Sequence, residues 1–583
     1  MGSFFVKHKR ISAVLILCIL SAGTVLSMTG CAGNDDFSAY TKTLFQEEIS
    51  SNTLSMHYTI SDPVSYEIDD YTVSLGDFSK ENRQQELSHL TDIKQKLSSF
   101  SHSRLSDEND LTLDVLNSYI DTQIALSDYS LYKDPLLPSG GDAIFVPLLF
   151  AEYSFDSARD ITEYFALLRQ FPDYLLEILE FEQEKAGAGL FMSDAQCQNT
   201  LSQLESYIEN PKEHSLLLTF SNRIKDFSLS QSEKDKLLEE NESIFEKKIL
   251  PAYKSLIQGL SSLMGCGRNS SGLCNFPEGK TYYTALVQSY TGLDATIEEI
   301  TTMIENARAE DFATCSNLIA AHPNLLETCS SYEWNYTENT QIFQTLAQKM
   351  KKDFPAAPDY SCNICYVDPS LKDYFAPAFY ITSPMDDYLE NTIYINSASD
   401  YPDIYYFTTL AHEGIPGHMY QTIMSYQYGL PPIRSILNFP GYTEGWATYV
   451  ELLSFSYTGL EENLTDLLMH NQAATLSLYA TSDIGIHYYN WDKEKLYAFW
   501  NQYGVSDKKS IDSIRDLILN DPGNYLKYYV GYLNFRNLRY RMMQTYKDSF
   551  SLMAFHEALL RIGPAPFSVV EKYLPEYYEK AAQ

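Results

Sequence analysis

The sequence predicts a mostly α fold, large and two-lobed, and three observations predict it. Apolar residues recur at helical spacing through most of the chain, in places behind capping signals. Strand-like runs gather in one short region near residues 378–397. About 550 residues beyond the N-terminal segment exceed one small core, so at least two lobes are expected. With 44% hydrophobic residues the chain can bury them.

The N-terminus reads as an export signal. Lys7, Lys9 and Arg10 precede the apolar run Ile11 to Leu26, which ends in Met28-Thr29-Gly30-Cys31. A run of this length can also span a bilayer as an anchor. The small residue before Cys31 and the polar stretch Ala32 to Asp36 favour cleavage and lipidation at Cys31. Residues 1–30 are then a lipoprotein signal peptide and 31–40 a lipidated cysteine with a short tether. The body lies outside the cytoplasm, held to the membrane by lipid on Cys31. A net charge of −35 argues against nucleic acid, whose phosphates would be repelled.

The body is divided into an N-terminal helical lobe, 41–270, and a C-terminal catalytic lobe, 271–583. Helices are expected over Asp160 to Glu184, behind a capping box at Ser230 and Glu233, and over Ile297 to Ala307. Pro- and Gly-rich Asp134 to Pro147 and the stretch Phe354 to Asp403 read as breaks. Within the second, Ala378 to Ser383 and Asn391 to Ser397 suggest a small β-hairpin or sheet whose edge could pair with an extended peptide; an ordinary loop is the alternative. Of nine cysteines, Cys18 leaves with the signal and Cys31 carries lipid. Cys266 with Cys274, Cys315 with Cys329 and Cys362 with Cys365 make one pairing that leaves Cys197 free, although connectivity does not follow from sequence.

The chemistry concentrates in His412-Glu413-Gly414-Ile415-Pro416-Gly417-His418, followed by Glu444 in Tyr442-Thr443-Glu444-Gly445-Trp446. Two imidazoles and a carboxylate suit Zn²⁺ and leave a fourth position for water. The usual pair of histidines is four residues apart; here the separation is six. A straight helix would set them about 120° apart around its axis and about 9 Å along it, too far for one ion. Pro416 breaks the turn and Gly417 tolerates unusual angles, so a kinked or bulged helix should return His418 to His412. Glu444 opens an apparent helix to Tyr457, with Glu451 on about the same face. One carboxylate can ligate while the other steadies a histidine. The plainer reading is a solvated His-Glu face followed by a turn.

The pattern H-E-x-x-P-G-H followed by E-G-W-A-x-Y-x-E resembles the bacterial domain-of-unknown-function family 885, helical proteins regarded as metallopeptidases. Further matches are Lys185 to Gly189, Ile249 to Tyr253, Pro277 to Tyr283, Asp483 to His487, Pro522-Gly523 with Tyr528 and Gly531, and Phe555 to Leu560. The resemblance runs from about residue 150 to the C-terminus. The family is in turn similar to carboxypeptidase Taq and thimet oligopeptidase, which implies a helical peptidase fold with a deep channel.

Carried over, the resemblance makes His412, His418 and Glu444 the ligands of a Zn²⁺ cofactor and Glu413 the general base. His487, with Asp483 one turn before it, and Tyr528 become candidates to stabilise the oxyanion; Tyr525 and Tyr529 compete with Tyr528. His556 reads as a core histidine. The implied activity is a zinc peptidase acting on oligopeptide substrates. A non-catalytic metal-binding lipoprotein and a zinc amidohydrolase or esterase acting on a cell-wall component are the alternatives.

Overall fold

The computed structural model describes residues 33–136, 141–332, 334, 336, 338–367, 377–396 and 403–583. The expected signal segment, Cys31 and the strand end at Ser397 lie outside these residues. The fold is mostly α with one small sheet, as the periodicity predicts. Among the described residues no helix is long and apolar enough to cross a membrane.

Helix α1 (Asn34–Ser50) occupies most of the segment expected as a tether. Phe37, Leu44 and Phe45 of α1 are buried in a cluster that also holds Ile433, so helix begins three residues after Cys31. The Pro- and Gly-rich break also ends early, since a helix over Asp142–Glu152 carries Pro147 inside it. Helix α2 (Ala158–Ala188) starts on a capping box from Ser157 and Asp160 and stops at Gly189 in the left-handed region. The box at Ser230 and Glu233 caps its helix as expected. The predicted helix at Ile297 runs on to Ala321.

The largest apolar clusters divide near residue 270. One gathers side chains almost wholly from residues 54–260, and the other mainly from 273–578. In the second, helix α3 (Gly279–Thr291) precedes the sheet formed by β1 (Ser361–Tyr366), β2 (Ala378–Ile381) and β3 (Glu390–Ile395). Strand β3 is central, antiparallel to β2 and parallel to β1, which leaves β2 with an outer edge. Then follow α4 (Asp403–Glu413), α5 (His418–Gln427), α6 (Pro440–Ser454), α7 (Glu462–His487), α8 (Asn524–Tyr546) and α9 (Leu552–Ile562).

The three candidate disulfides are not formed: the seven cysteines of the body are free thiols. Cys362 and Cys365 lie three apart on β1, so the pleat turns them to opposite faces. Cys274 instead directs its thiol at the Ile486 carbonyl and Cys315 at that of Leu467.

Helices α6 and α8 meet through glycines. A Cβ on Gly531 would lie 2.3 Å from the Gly441 carbonyl oxygen and 2.7 Å from the Gly445 Cα. Two backbones can approach this closely only where neither carries a side chain. Glu444 adjoins Gly445, while Lys527 and Tyr528 lie four and three residues before Gly531, on its face of the helix. The glycine contact therefore sets the distance between those three side chains.

Candidate metal centre

The sequence between His412 and His418 folds as two helices rather than one bent helix. Residues 414–417 interrupt it, and His418 opens α5. A Cβ at Gly417 would fall 1.8 Å from the His412 carbonyl oxygen, so glycine alone fits this turn. The Trp446 indole N–H donates to the Pro416 carbonyl at 2.9 Å and ties the turn to α6. The outcome is the expected one: the two imidazole centroids lie 4.9 Å apart, nearly perpendicular.

Glu444 completes the group. His412 Nε2 and His418 Nε2 lie 3.6 and 3.3 Å from the same oxygen, Glu444 Oε2. Donors held about 2.0–2.1 Å from a tetrahedral ion lie about 3.3 Å apart, so these spacings already fit one zinc. One donor atom from each of the three residues falls within 4.8 Å of the others. About a fifth of the His418 and Glu444 side chains remains exposed, so the group has access to solvent.

The surroundings support the same role. His412 Nδ1 lies 2.9 Å from Glu451 Oε2, which fixes the ring and leaves Nε2 facing Glu444. Burial opposes charge on His412, yet hydrogen bonds to Glu444 and Glu451 hold its pKa well above the usual imidazole value. Burial likewise opposes charge on Glu444, but His412 and His418 hold it well below the usual carboxylate range. The opposed directions show that the carboxylate and the imidazoles pair their charges in the interior, a pairing that a cation held by neutral imidazoles would replace.

Glu413 turns to the sheet. Its Oε2 accepts the Tyr380 backbone N–H at 3.0 Å, on the outer edge of β2. Burial raises its pKa, while His412 and His418 pull it partly back. In an antiparallel strand the N–H and C=O of one residue point the same way, so the Tyr380 carbonyl shares that edge. Tyr528 reaches the group from α8. Its ring centroid is 6.3 Å from that of His412 and its hydroxyl is directed at Glu444. Burial, then the charges of Glu444 and Glu413, push the phenol well above its usual range, so it remains a donor. Its competitors are placed elsewhere: Tyr529 is fully buried, and Tyr525 packs on Tyr479 at 4.7 Å.

His487 does not join the centre. It is 1% exposed; Nδ1 accepts the Leu273 N–H at 3.1 Å and Nε2 donates to the Ile518 carbonyl at 2.9 Å. With both ring nitrogens committed to backbone, it has nothing to offer an oxyanion. Asp483 does not orient it either. That carboxylate accepts the Tyr283 hydroxyl and the Gly523 N–H that opens α8. His556 is a satisfied core histidine, held by the Asp353 carbonyl and the Tyr449 hydroxyl. Two participants escaped the sequence reading. The Tyr380 amide is backbone and leaves no side-chain signal, whereas Lys527, 3.9 Å from Glu444 Oε1, was legible as the neighbour of Tyr528.

A family model described as "Bacterial protein of unknown function (DUF885)" matches residues 66–574. No curated protein matches the sequence. A solved structure described as a "putative lipoprotein" from Colwellia psychrerythraea is similar at 19% identity and TM-score 0.80, covering 93% of this chain and 99% of that one. Another, a "putative lipoprotein of unknown function" from Shewanella oneidensis, is similar at 15% identity and TM-score 0.63, with coverage of 92% and 99%. These likenesses show the fold alone.

Proposed function

The chain belongs to the bacterial family of unknown function DUF885, and on that premise we propose that it is a zinc-dependent peptidase acting on oligopeptides outside the cytoplasm, anchored by lipid on Cys31. The observation that carries this reading is the convergence of His412 and His418 on one oxygen of Glu444, with Glu413 beside them accepting an amide from the outer edge of β2.

His412, His418 and Glu444 would hold the ion, and zinc there supplies a Lewis acid and a water acidified to a pKa near ~7. Glu451 steadies the His412 ring through Nδ1. Glu413 takes the proton of the attacking water and returns it to the leaving amine, a role that a raised carboxylate pKa favours. The Tyr528 hydroxyl, kept protonated, donates to the oxyanion as the carbonyl is attacked. The outer edge of β2, whose Tyr380 N–H Glu413 holds, would offer its remaining main-chain groups, the Tyr380 carbonyl among them, to an extended peptide beside Glu413.

The test is metal content and hydrolysis of a mixed peptide pool by protein produced from residue 32, beside Glu413→Gln. The expected result is one zinc per chain in both and cleavage by the wild type only. Zinc with no cleavage of any peptide by wild type would overturn the peptidase reading, and protein that takes up no zinc would overturn the ligand set.

A further inference from the structure

Lys527 stands in the first turn of α8, where the helix dipole disfavours a cation, so its charge does nothing for the helix. Its side chain is 22% exposed, and Nζ lies 3.9 Å from Glu444 Oε1, the oxygen turned away from the histidines. That separation is too long for a hydrogen bond. Among the described residues the ammonium has no hydrogen-bond partner, although it carries three donors. It also sits 5.2 Å from the centroid of the Tyr528 ring, so the tyrosine that faces the centre flanks it. A half-buried cation without a hydrogen-bond partner thus sits at the edge of the centre, facing the charges of Glu444 and Asp521.

We propose that Lys527 is a specificity residue that receives a substrate carboxylate immediately beyond the scissile bond. The inference rests on the peptidase reading and deepens it. Nζ lies beside Glu444 and flanks the Tyr528 ring, so a carboxylate that meets it sits next to the centre. A carboxylate on the residue just past the cleaved amide can reach Nζ while that amide lies at the centre. The C-terminal α-carboxylate meets this condition and makes the enzyme a carboxypeptidase: one water is consumed, the last C–N bond breaks, its nitrogen takes the proton, and one free amino acid leaves. An acidic side chain at the same position presents the same chemistry.

Three peptides separate these sources: a free acid, its C-terminal amide, and the same amide with its last residue changed to Glu. Each is offered to wild type, Lys527→Met and Lys527→Arg, and each is titrated calorimetrically against zinc-loaded Glu413→Gln with and without Lys527→Met. The expected result is release of the last residue from the free acid, with KM about 10- to 100-fold lower than for the plain amide. That ratio is what loss of one charged hydrogen bond gives. Lys527→Met should erase the preference between free acid and amide, and Lys527→Arg should restore part of it. Equal preference for the Glu-ended amide would assign the site to acidic side chains. Equal loss on all three peptides, or no preference in wild type, would overturn the role of Lys527 and leave the peptidase standing. If wild type cleaves none, the peptidase reading falls; the titrations then decide Lys527 alone, since tighter binding of the acid that vanishes in Lys527→Met upholds a carboxylate site and equal binding removes it.

Discussion

Replacing Gly531 by alanine is the sharpest test of how the fold sets the site, because the change adds one methyl and touches no polar group. The new Cβ would sit 2.3 Å from the Gly441 carbonyl oxygen and 2.7 Å from the Gly445 Cα. Ordinary contacts are near ~3.5 Å, so α6 and α8 must part by roughly 1 Å. Both obstructing atoms are backbone, and no side-chain rotation relieves them. Overpacking of this kind costs about 1–3 kcal/mol. The larger effect should be on function, since displacement by ~1 Å of groups that hold the reacting atoms can cost about 100-fold in rate. Lys527 and Tyr528 ride on α8 while Glu444 rides on α6, so the separation falls across the centre itself. Gly187 supplies the control: it lies inside α2, and a Cβ there meets nothing within 4 Å. Gly187→Ala should be neutral or stabilising by up to ~1 kcal/mol. Urea denaturation and peptide hydrolysis of the two variants give the comparison. Wild-type stability and activity in Gly531→Ala would refute the idea that the glycine contact sets the geometry.

Glu451→Gln should weaken zinc binding about 10- to 100-fold, the usual cost of losing a carboxylate behind a ligand histidine; chelator competition measures it, and unchanged affinity would remove Glu451 from the support. Tyr528→Phe should lower kcat about 100- to 1000-fold with KM nearly constant, whereas a rise in KM alone would make Tyr528 a binding residue. Asp483, fully buried, is pushed up by burial to about 8, against ~3.9 in an unfolded chain. Between those values the folded protein keeps a proton that the unfolded chain has lost, so this residue's contribution to stability falls as pH rises, by up to ~1.4 kcal/mol per unit. Asp483→Asn, which keeps an acceptor for Tyr283 and Gly523, should gain on wild type steadily from pH 5 to 7.5 in urea titrations; a constant difference would show that Asp483 ionises freely.

The centre was legible because its chemistry is local. His412, Glu413, His418, Glu444 and Glu451 fall within forty residues, and Pro416-Gly417 signals the break that the six-residue spacing demands. His487 misled for the opposite reason. Asp483 lies one helical turn before it, and that local pairing is overridden by partners far along the chain, Tyr283 and Gly523 for the acid, Leu273 and Ile518 for the imidazole. Strand β1 was missed in the same way. Its Cys362-x-x-Cys365 suggested a loop staple, and only its parallel pairing with β3 makes it a strand. The β2–β3 hairpin was readable from its short apolar runs, but the contact of its edge with Glu413 was not, because that contact is made by a backbone amide.

The early start of α1 bears on how the molecule stands in its surroundings. Asn34 is already pinned, its Oδ1 accepting the Ser106 N–H and an Asn109 amide hydrogen, each at 2.8 Å. Asn34 is three residues past Cys31, a reach of about 10 Å at full extension. An acyl chain on Cys31 would therefore leave no stalk. The body would ride on the headgroups with one face always turned to the bilayer, unable to tumble or to sweep the space above it. Peptides drifting along the envelope surface would meet it far more often than those in the bulk, and a longer spacer spliced in before Asn34 would trade that confinement for reach.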